Sequence, residues 1–325
     1  MRILLAVDHQ SDPVALGNYL LHRIGGRPAD IEVITVIPGI QEPFTDKDEP
    51  RRPIISIGES SSGYRQRCAL VAAIAAQLQA SGFASVRTHV EYGEPAEVLL
   101  ESSRQWRCEL VLLSAPRGKG RLTALQLDGV TRRLLNWSDS PVELMRPFTG
   151  DSVRRNTVLM PVPLHAIKRF PLHALQALPW WHGSRLHLLG IQPESIDTSR
   201  AEANPAALLL ALQHARDAGA KAKTTLAACA KELDAACDGK LQITHGMVEG
   251  NLHQASAAAI RSLQPQVLVL SQACFDQNPK ALFGGLTPAA LALSAPCSVL
   301  LLQDDPGAAT TMRRRDPAPI LKLAR

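Results

Sequence analysis

The chain is poor in aromatic residues and in cysteine, and both shortages narrow what it can be. Only 4% of its 325 residues are aromatic, although 46% are hydrophobic, so we expect cores built from Leu, Val, Ile and Ala. The six cysteines show no Cys-x-x-Cys spacing, and most fall in apolar patterns where a thiol acts as a small hydrophobe. The sequence therefore predicts neither a disulfide framework nor a zinc site. The cysteines are Cys68, Cys108, Cys229, Cys237, Cys274 and Cys297.

Long apolar runs are missing as well. No segment approaches the roughly 18 uninterrupted apolar residues that a membrane helix needs. The first residues, MRILLAVDHQ, reach Asp8 too early for the apolar region of a signal peptide. We therefore predict a cytoplasmic protein with no membrane partner.

The basic charge is not concentrated in one stripe. The formal net charge is +5, but the arginine clusters are short and far apart in the sequence. Such clusters in loops and on helix faces are usually solvated surface, so a nucleic-acid partner is not predicted. The clusters are Arg51-Arg52, Arg132-Arg133, Arg154-Arg155 and Arg313-Arg314-Arg315.

Signatures of catalysis are absent too. The sequence contains no Gly-x-Ser-x-Gly elbow, no P-loop and no His-Glu-x-x-His pair. Asp8, His9 and Asp12 could together hold a divalent cation, but the favoured interpretation has Asp12 capping a first helix and His9 facing solvent. We predict no catalytic residue, no metal ligand and no enzymatic activity.

What the sequence does contain is a regular alternation of strand and helix patterns. In the first half, five short apolar runs alternate with four helical patterns, an order that predicts a parallel sheet covered on both faces. The charged, proline-rich segment 41–63 is predicted as a long surface loop. The predicted strands are 3–7, 32–37, 86–91, 110–114 and 142–145, and the predicted helices are 13–24, 64–81, 95–105 and 125–137.

The second half follows the same plan at an offset of about 156 residues, which indicates a duplicated domain. Its predicted strands are 158–162, 185–191, 241–248, 267–271 and 299–302, and its predicted helices are 171–178, 205–233, 252–262 and 287–293. The predicted fold class is α/β, with two tandem doubly wound domains, each holding a five-stranded parallel sheet in the order 3-2-1-4-5. We place the domains at 1–147 and 157–303, a linker at 148–156 and a mobile tail at 304–325.

In such a sheet a ligand binds beyond the carboxyl ends of the strands, where the strand order reverses. In the first domain that crevice lies between Asp8 and the loop after Ser114. The loop is rich in glycine, which lets backbone amides approach a phosphate, and Arg117, Lys119 and Arg121 would assist. The same composition equally suits a plain turn that connects a strand to a helix.

Several of these segments are similar to the universal stress protein family. The resemblance rests on Ile-Leu-Leu-Ala-Val-Asp at 3–8, Gly-Glu-Pro-Ala-Glu at 93–97, the fourth strand with its loop, Ser-Pro-Val at 140–142, and their counterparts in the second half. It implies the five-stranded fold, dimerisation through the last strand, and a division of members into ATP binders and non-binders.

Family binders carry Gly-x-x-Gly, nine further residues, then Gly followed by Ser or Thr. Here Ala115, Gly118, Asp128 and Gly129 occupy those four positions, so one of the four is kept. Asp128 disfavours ATP, because its carboxylate would repel phosphate oxygens. The resemblance implies ATP as the candidate ligand of the first domain, with Asp8 at the nucleoside and Ala6 and Val36 as an apolar wall. The candidate binding residues are Ala6, Val7, Asp8, Val36, Ala115, Arg117, Gly118, Lys119, Asp128 and Gly129.

The second domain departs further from the family pattern. Pro163 replaces the acid of the first strand, and the four loop positions hold Gln272, Phe275, Gly285 and Leu286. We therefore predict that no ATP binds in the second domain.

These observations lead to a non-enzymatic stress-response binding or regulatory protein, built as an intramolecular pseudo-dimer that could also form homodimers. One alternative is an ATP-dependent switch, with nucleotide bound only in the first domain and the 41–63 loop closing over it. Another is an interaction scaffold that associates through edge strands 142–145 and 299–302, or through Trp180-Trp181.

Overall fold

The described residues of this computed structural model contain ten strands and the helices that cover them. The structure describes residues 1–25, 27–38, 60–114, 129–146, 156–164, 167, 175, 184–192, 205–237, 241–271, 291–292 and 295–303. The strands are β1 (Arg2–Ala6), β2 (Asp30–Pro38), β3 (Ser85–Gly93), β4 (Leu110–Ser114), β5 (Val142–Met145), β6 (Thr157–Pro163), β7 (Ser184–Gln192), β8 (Leu241–Glu249), β9 (Val267–Ser271) and β10 (Ser298–Leu302). The helices with described bounds are α1 (Pro13–Ile24), α2 (Ser60–Ala80), α3 (Pro95–Gln105), α4 (Gly129–Trp137), α5 (Pro205–Ala236) and α6 (Leu252–Leu263).

All ten strands belong to one sheet, in the order β3-β2-β1-β4-β5-β10-β9-β6-β7-β8. Within each half the strands are parallel and follow the order 3-2-1-4-5, so the predicted fold class is confirmed. The two halves join through β5 and β10, which pair antiparallel. We call this junction the seam.

Most observed elements lie where the sequence predicts them, with ends that differ by about one to three residues. The clearest difference is α2, which begins at Ser60 and not at residue 64, so the last residues of the predicted 41–63 loop are helical. Serine suits a first helical turn, whose backbone N–H groups lack helical partners. The tail and residues 125–128 of the helix predicted at 125–137 lie outside the described residues, as does most of the loop, of the linker and of the helices predicted at 171–178 and 287–293.

Two apolar layers cover the sheet, one on each face. Alternate residues of a strand enter opposite layers: Ile3 and Leu5 pack in the layer of α1, α2 and α5, whereas Leu4 and Ala6 pack in the layer of α3, α4 and α6. Each layer contains residues of both halves, so the core continues across the seam. This double burial explains why β4, β9 and β10 are short apolar runs without alternation.

The seam contains a fully buried charged cluster. Arg23 of α1 donates from Nε to both carboxylate oxygens of Glu143 in β5 at 3.1 Å, and Tyr19 donates its hydroxyl hydrogen to the same carboxylate. Arg23 is 1% exposed and Glu143 is 0% exposed. Burial, followed by the charge of Glu143, raises the pKa of Tyr19 well above its usual value, so the phenol remains a donor.

Polar contacts also cross the seam from one half to the other. The backbone N–H of Arg146 donates to Ser298 Oγ at 2.9 Å, and the Arg146 guanidinium donates through Nη1 to the carbonyls of Ala292 and Cys297 at 3.0 and 2.9 Å. Strands 142–145 and 299–302, the edge strands through which association is expected, pair with each other in this chain, so neither is an edge of the described sheet. The edges of the described sheet are β3 and β8.

None of the described helices is both long and apolar enough to cross a membrane.

Candidate functional site

The crevice expected from the sequence lies where β1 ends between its two neighbours. β1 pairs with β2 on one side and with β4 on the other, both in parallel, so the strand order reverses at β1. Ala6 is aligned with Ile34 of β2 and with Leu113 of β4. The segments that follow β1 and β4 therefore begin at adjacent points of one sheet edge, which is where a ligand crevice forms in such a sheet.

The apolar residues predicted for this site are divided between the two faces of the sheet. Ala6 is buried and Val36 is partly buried in the layer of α3 and α4, so the structure brings these two together. Val7 is buried in the opposite layer, and its backbone N–H donates to Ile34 O at 2.9 Å. Only Ala6 and Val36 can form a common apolar wall on the α3 and α4 side.

Asp8 stands directly after β1 and is held in place by a local turn. Its Oδ1 accepts hydrogen bonds from Gln10 N at 3.0 Å and from Ser11 Oγ at 2.9 Å, while Ser11 Oγ accepts from Asp8 N at 3.0 Å. Within the described chain no hydrogen bond reaches Oδ2. A half-buried carboxylate thus offers one positioned acceptor oxygen at the mouth of the crevice.

Ser11 is the residue of this site that the sequence reasoning missed. It is buried, and its hydroxyl fixes the carboxylate of Asp8 by a reciprocal pair of hydrogen bonds. The signal was available, since Asp followed three residues later by Ser is typical of a side-chain-supported turn.

The neighbouring Asp12 and His9 do not join Asp8 in a cation site. Asp12 caps α1 by accepting from the backbone N–H groups of Val14 and Ala15 at 2.9 and 3.3 Å, as predicted, and His9 is exposed. Across the described residues, no group of three or more His, Cys, Asp or Glu side chains is placed to hold a metal ion.

The phosphate side of the predicted site falls largely outside the described residues. This applies to Ala115, Arg117, Gly118, Lys119 and Asp128. Gly129 is described as the exposed first residue of α4, and a Cβ added there would meet no atom within 4 Å. A side chain, including the family hydroxyl, would therefore fit at position 129 without rearrangement.

The buried thiols of Cys108 and Cys297 are poor nucleophiles. Burial raises the pKa of Cys108 to about 12 and that of Cys297 to about 11. Both remain protonated at neutral pH, and a thiol is a far weaker nucleophile than a thiolate. These cysteines act as small core residues, as the sequence predicts.

The equivalent position of the second half is apolar. Pro163 ends β6 where Asp8 follows β1, and Leu164 packs beside Gly190 of β7. A Cβ added to Gly190 would lie 3.1 Å from Leu164 Cδ2, 2.8 Å from Leu226 Cδ2 and 3.2 Å from Met247 Cγ. These aliphatic groups lie in the layer of α1, α2 and α5, on the face opposite to the one that Ala6 and Val36 line in the first half. Among the described residues, Pro163 leaves no carboxylate at the end of β6.

Gly190→Ala measures how tightly this region is packed. We expect it to lower the free energy of unfolding by about 1–3 kcal/mol, because the added methyl overfills a region that is already packed. Gly246→Ala on β8 is the matched control, since its Cβ would meet the His187 ring at an ordinary 3.5 Å. That change should be neutral or stabilising. Urea unfolding compares the two, and equal effects would contradict the packing argument.

Comparisons with known proteins agree with this architecture. Residues 1–146 match the model of the universal stress protein family. A universal stress protein from Archaeoglobus fulgidus is 14% identical, with a TM-score of 0.60 over 94% of this chain and 97% of that one. A protein of unknown function from Pseudomonas aeruginosa PAO1 is 17% identical, with a TM-score of 0.58 over 94% of this chain and 92% of its own.

A third structure, described as a putative universal stress protein from Pseudomonas aeruginosa UCBPP-PA14, is 17% identical, with a TM-score of 0.56 over 94% of this chain and 93% of its own. The search of curated proteins found no significant match. The first 146 residues thus match the universal stress protein family, and the chain as a whole shares the fold of these similar structures.

Proposed function

We propose that this is a non-enzymatic, cytoplasmic stress-response binding protein in which only the first half keeps a ligand crevice. The second half acts as its permanent partner across the seam, so that one chain forms a pseudo-dimer. The contrast at the ends of β1 and β6 carries the proposal. The residue after β1 presents the positioned carboxylate of Asp8, whereas Pro163 stands at the end of β6 and has no carboxylate.

The arrangement around Asp8 suits recognition of hydroxyl groups. Gln10 N and Ser11 Oγ both donate to Asp8 Oδ1, so Oδ2 can accept a hydrogen bond from a neutral donor without first giving up a protein partner within the described chain. A ribose presents two adjacent hydroxyl donors, and the nearby Ala6 and Val36 provide apolar surface for a base. A nucleoside or nucleotide is therefore the ligand class that this half of the crevice fits best.

The second candidate function is an ATP-dependent switch, with ATP bound only in the first half. The open Oδ2 of Asp8 favours it, and Asp128 in the phosphate loop disfavours it, because two negative groups would approach each other. The two candidates differ in the triphosphate. A binding protein that reads the nucleoside should accept adenosine and ATP alike, whereas a switch requires the triphosphate with Mg²⁺.

The test is binding to the full chain, by isothermal titration and by thermal shift, with adenosine, AMP and Mg-ATP. We expect a single site per chain, and Asp8→Asn should weaken it about tenfold or more, because the amide cannot supply the second acceptor oxygen. Ser11→Ala is the control that loosens the turn but keeps the carboxylate, and its effect should be smaller. ATP turnover should not rise above the protein-free rate.

The outcomes are distinct. Two sites per chain would contradict the prediction that the second half binds no nucleotide. Binding of Mg-ATP alone, abolished by Asp8→Asn, would favour the switch. No binding of any nucleoside, together with unchanged melting temperatures, would contradict a nucleoside crevice. Catalytic turnover that depends on Asp8 would contradict the non-enzymatic proposal.

A further inference from the structure

The antiparallel register at the seam places one charged residue opposite one apolar residue. Glu143 of β5 is aligned with Leu300 of β10, with Leu144 opposite Val299 and Val142 opposite Leu301. Glu143 and Leu300 are both completely buried. Directly opposed residues of an antiparallel pair have side chains on the same face and Cα atoms about 4.5–5.5 Å apart.

The two seam strands occupy equivalent places in their halves, so their residues can be compared position by position. Pro141, Val142, Glu143 and Leu144 correspond to Ser298, Val299, Leu300 and Leu301. If two copies of the first half paired through β5 in the seam register, Glu143 of each copy would face Glu143 of the other. Two carboxylates would then be buried side by side, and like charges directly opposite each other are unfavourable.

A second contact at the seam acts in the same direction. Ser298 Oγ accepts from Arg146 N at 2.9 Å and donates to Arg146 O at 3.2 Å, so the hydroxyl satisfies both backbone groups. In a pair of two first halves Pro141 would take the place of Ser298. Proline has neither a hydroxyl nor a backbone N–H, and the Arg146 backbone would lose both hydrogen bonds at each end of the seam.

We propose that Glu143 and Ser298 select the partner of the β5 edge. This edge accepts a strand that brings an uncharged residue opposite Glu143 and a hydroxyl beside Arg146, which the chain's own second half does. It rejects a second copy of the first half, which meets neither condition. The seam is thereby directed to pairing of a first half with a second half and protected against pairing of two first halves.

The test places two carboxylates opposite each other at the seam of the full chain. Leu300→Glu places a carboxylate opposite Glu143, and Leu300→Gln is its uncharged control of equal size. We expect the urea midpoint of Leu300→Glu to lie about 1 M or more below that of Leu300→Gln. Adding Glu143→Gln should raise the midpoint of Leu300→Glu, although Glu143→Gln alone should lower that of the unmodified chain. This reversal of sign identifies repulsion between the two positions, which a packing defect at Leu300 cannot produce.

Equal midpoints for Leu300→Glu and Leu300→Gln would overturn the proposal, as would a double variant that is less stable than Leu300→Glu alone. Should Leu300→Glu not fold, recovery of folded protein by Glu143→Gln/Leu300→Glu is the supporting result, and failure of that double variant while Leu300→Gln folds is the contradicting one. Leu300→Asp and Leu300→Asn repeat the comparison with shorter side chains if glutamine itself is not accommodated.

Discussion

Replacing Arg23 by Met is expected to lower the free energy of unfolding by about 3–5 kcal/mol, one of the largest losses available in this chain. Removing one member of a buried ion pair leaves the other charge buried without its partner. In this variant the Glu143 carboxylate, which is 0% exposed, would keep only the Tyr19 hydroxyl. Urea unfolding followed by circular dichroism measures the loss.

The double variant Arg23→Met/Glu143→Leu separates charge from packing. Because both charges are removed together, most of the lost stability should return, and the double variant should lie within about 1–2 kcal/mol of the unmodified chain. Tyr19→Phe removes one hydrogen bond and is the mild comparison. A double variant as unstable as Arg23→Met would show that side-chain volume, and not the unpaired carboxylate, sets the loss.

Arg146→Ala is expected to cost about 2–4 kcal/mol, because it removes charge-assisted hydrogen bonds to two carbonyls of the opposite half. Those acceptors, Ala292 O and Cys297 O, belong to a buried part of the seam. Burial also lowers the pKa of the Arg146 guanidinium from its ordinary value. The measurement is urea unfolding, with hydrogen exchange of the seam amides to locate the loss.

Arg104→Ala is the matched control for that experiment. Arg104 forms an ion pair with Asp139 at 2.9 Å, but their side chains are 50% and 67% exposed. Exposed pairs of this kind contribute about 0–1 kcal/mol, so the control should change stability little. If Arg104→Ala cost as much as Arg146→Ala, the burial of the seam contacts would not be the source of their strength.

The sequence predicts the fold well because each central strand is a local signal. Leu110–Ser114 and Val267–Ser271 are buried on both faces, so they appear as uninterrupted apolar runs with clear ends. The first helix is equally legible, since Asp12 and Pro13 form a cap and a first turn that both favour helix initiation.

The charged cluster at the seam could not be predicted from a local pattern in the same way. Glu143 and Arg23 are separated by 120 residues, and no local spacing connects a glutamate in a short strand to an arginine near a helix end. Within each half, the sequence predicts the last strand as an edge strand. An edge strand and an internal strand differ in their neighbouring strands and not in their own residues, so a local pattern does not distinguish them. The partner of each strand is a property of the assembled sheet.

At the candidate site the outcome is divided for a physical reason. Asp8, Ala6 and Val36 could be located because they follow or belong to strands whose order the topology determines. The loss of the acid in the second half could be predicted from Pro163. The contacts of Leu164 and Leu226 around Gly190 arise from three separate elements, and only the folded chain brings them together.

The antiparallel seam also makes the two rims of the sheet different from each other. Because β5 and β10 run in opposite directions, the carboxyl ends of the first half's strands and those of the second half's strands emerge at opposite rims of the sheet. Asp8 and Pro163 therefore lie on rims that face away from each other. A macromolecule docked over the rim of Asp8 would therefore leave the rim of Pro163 uncovered.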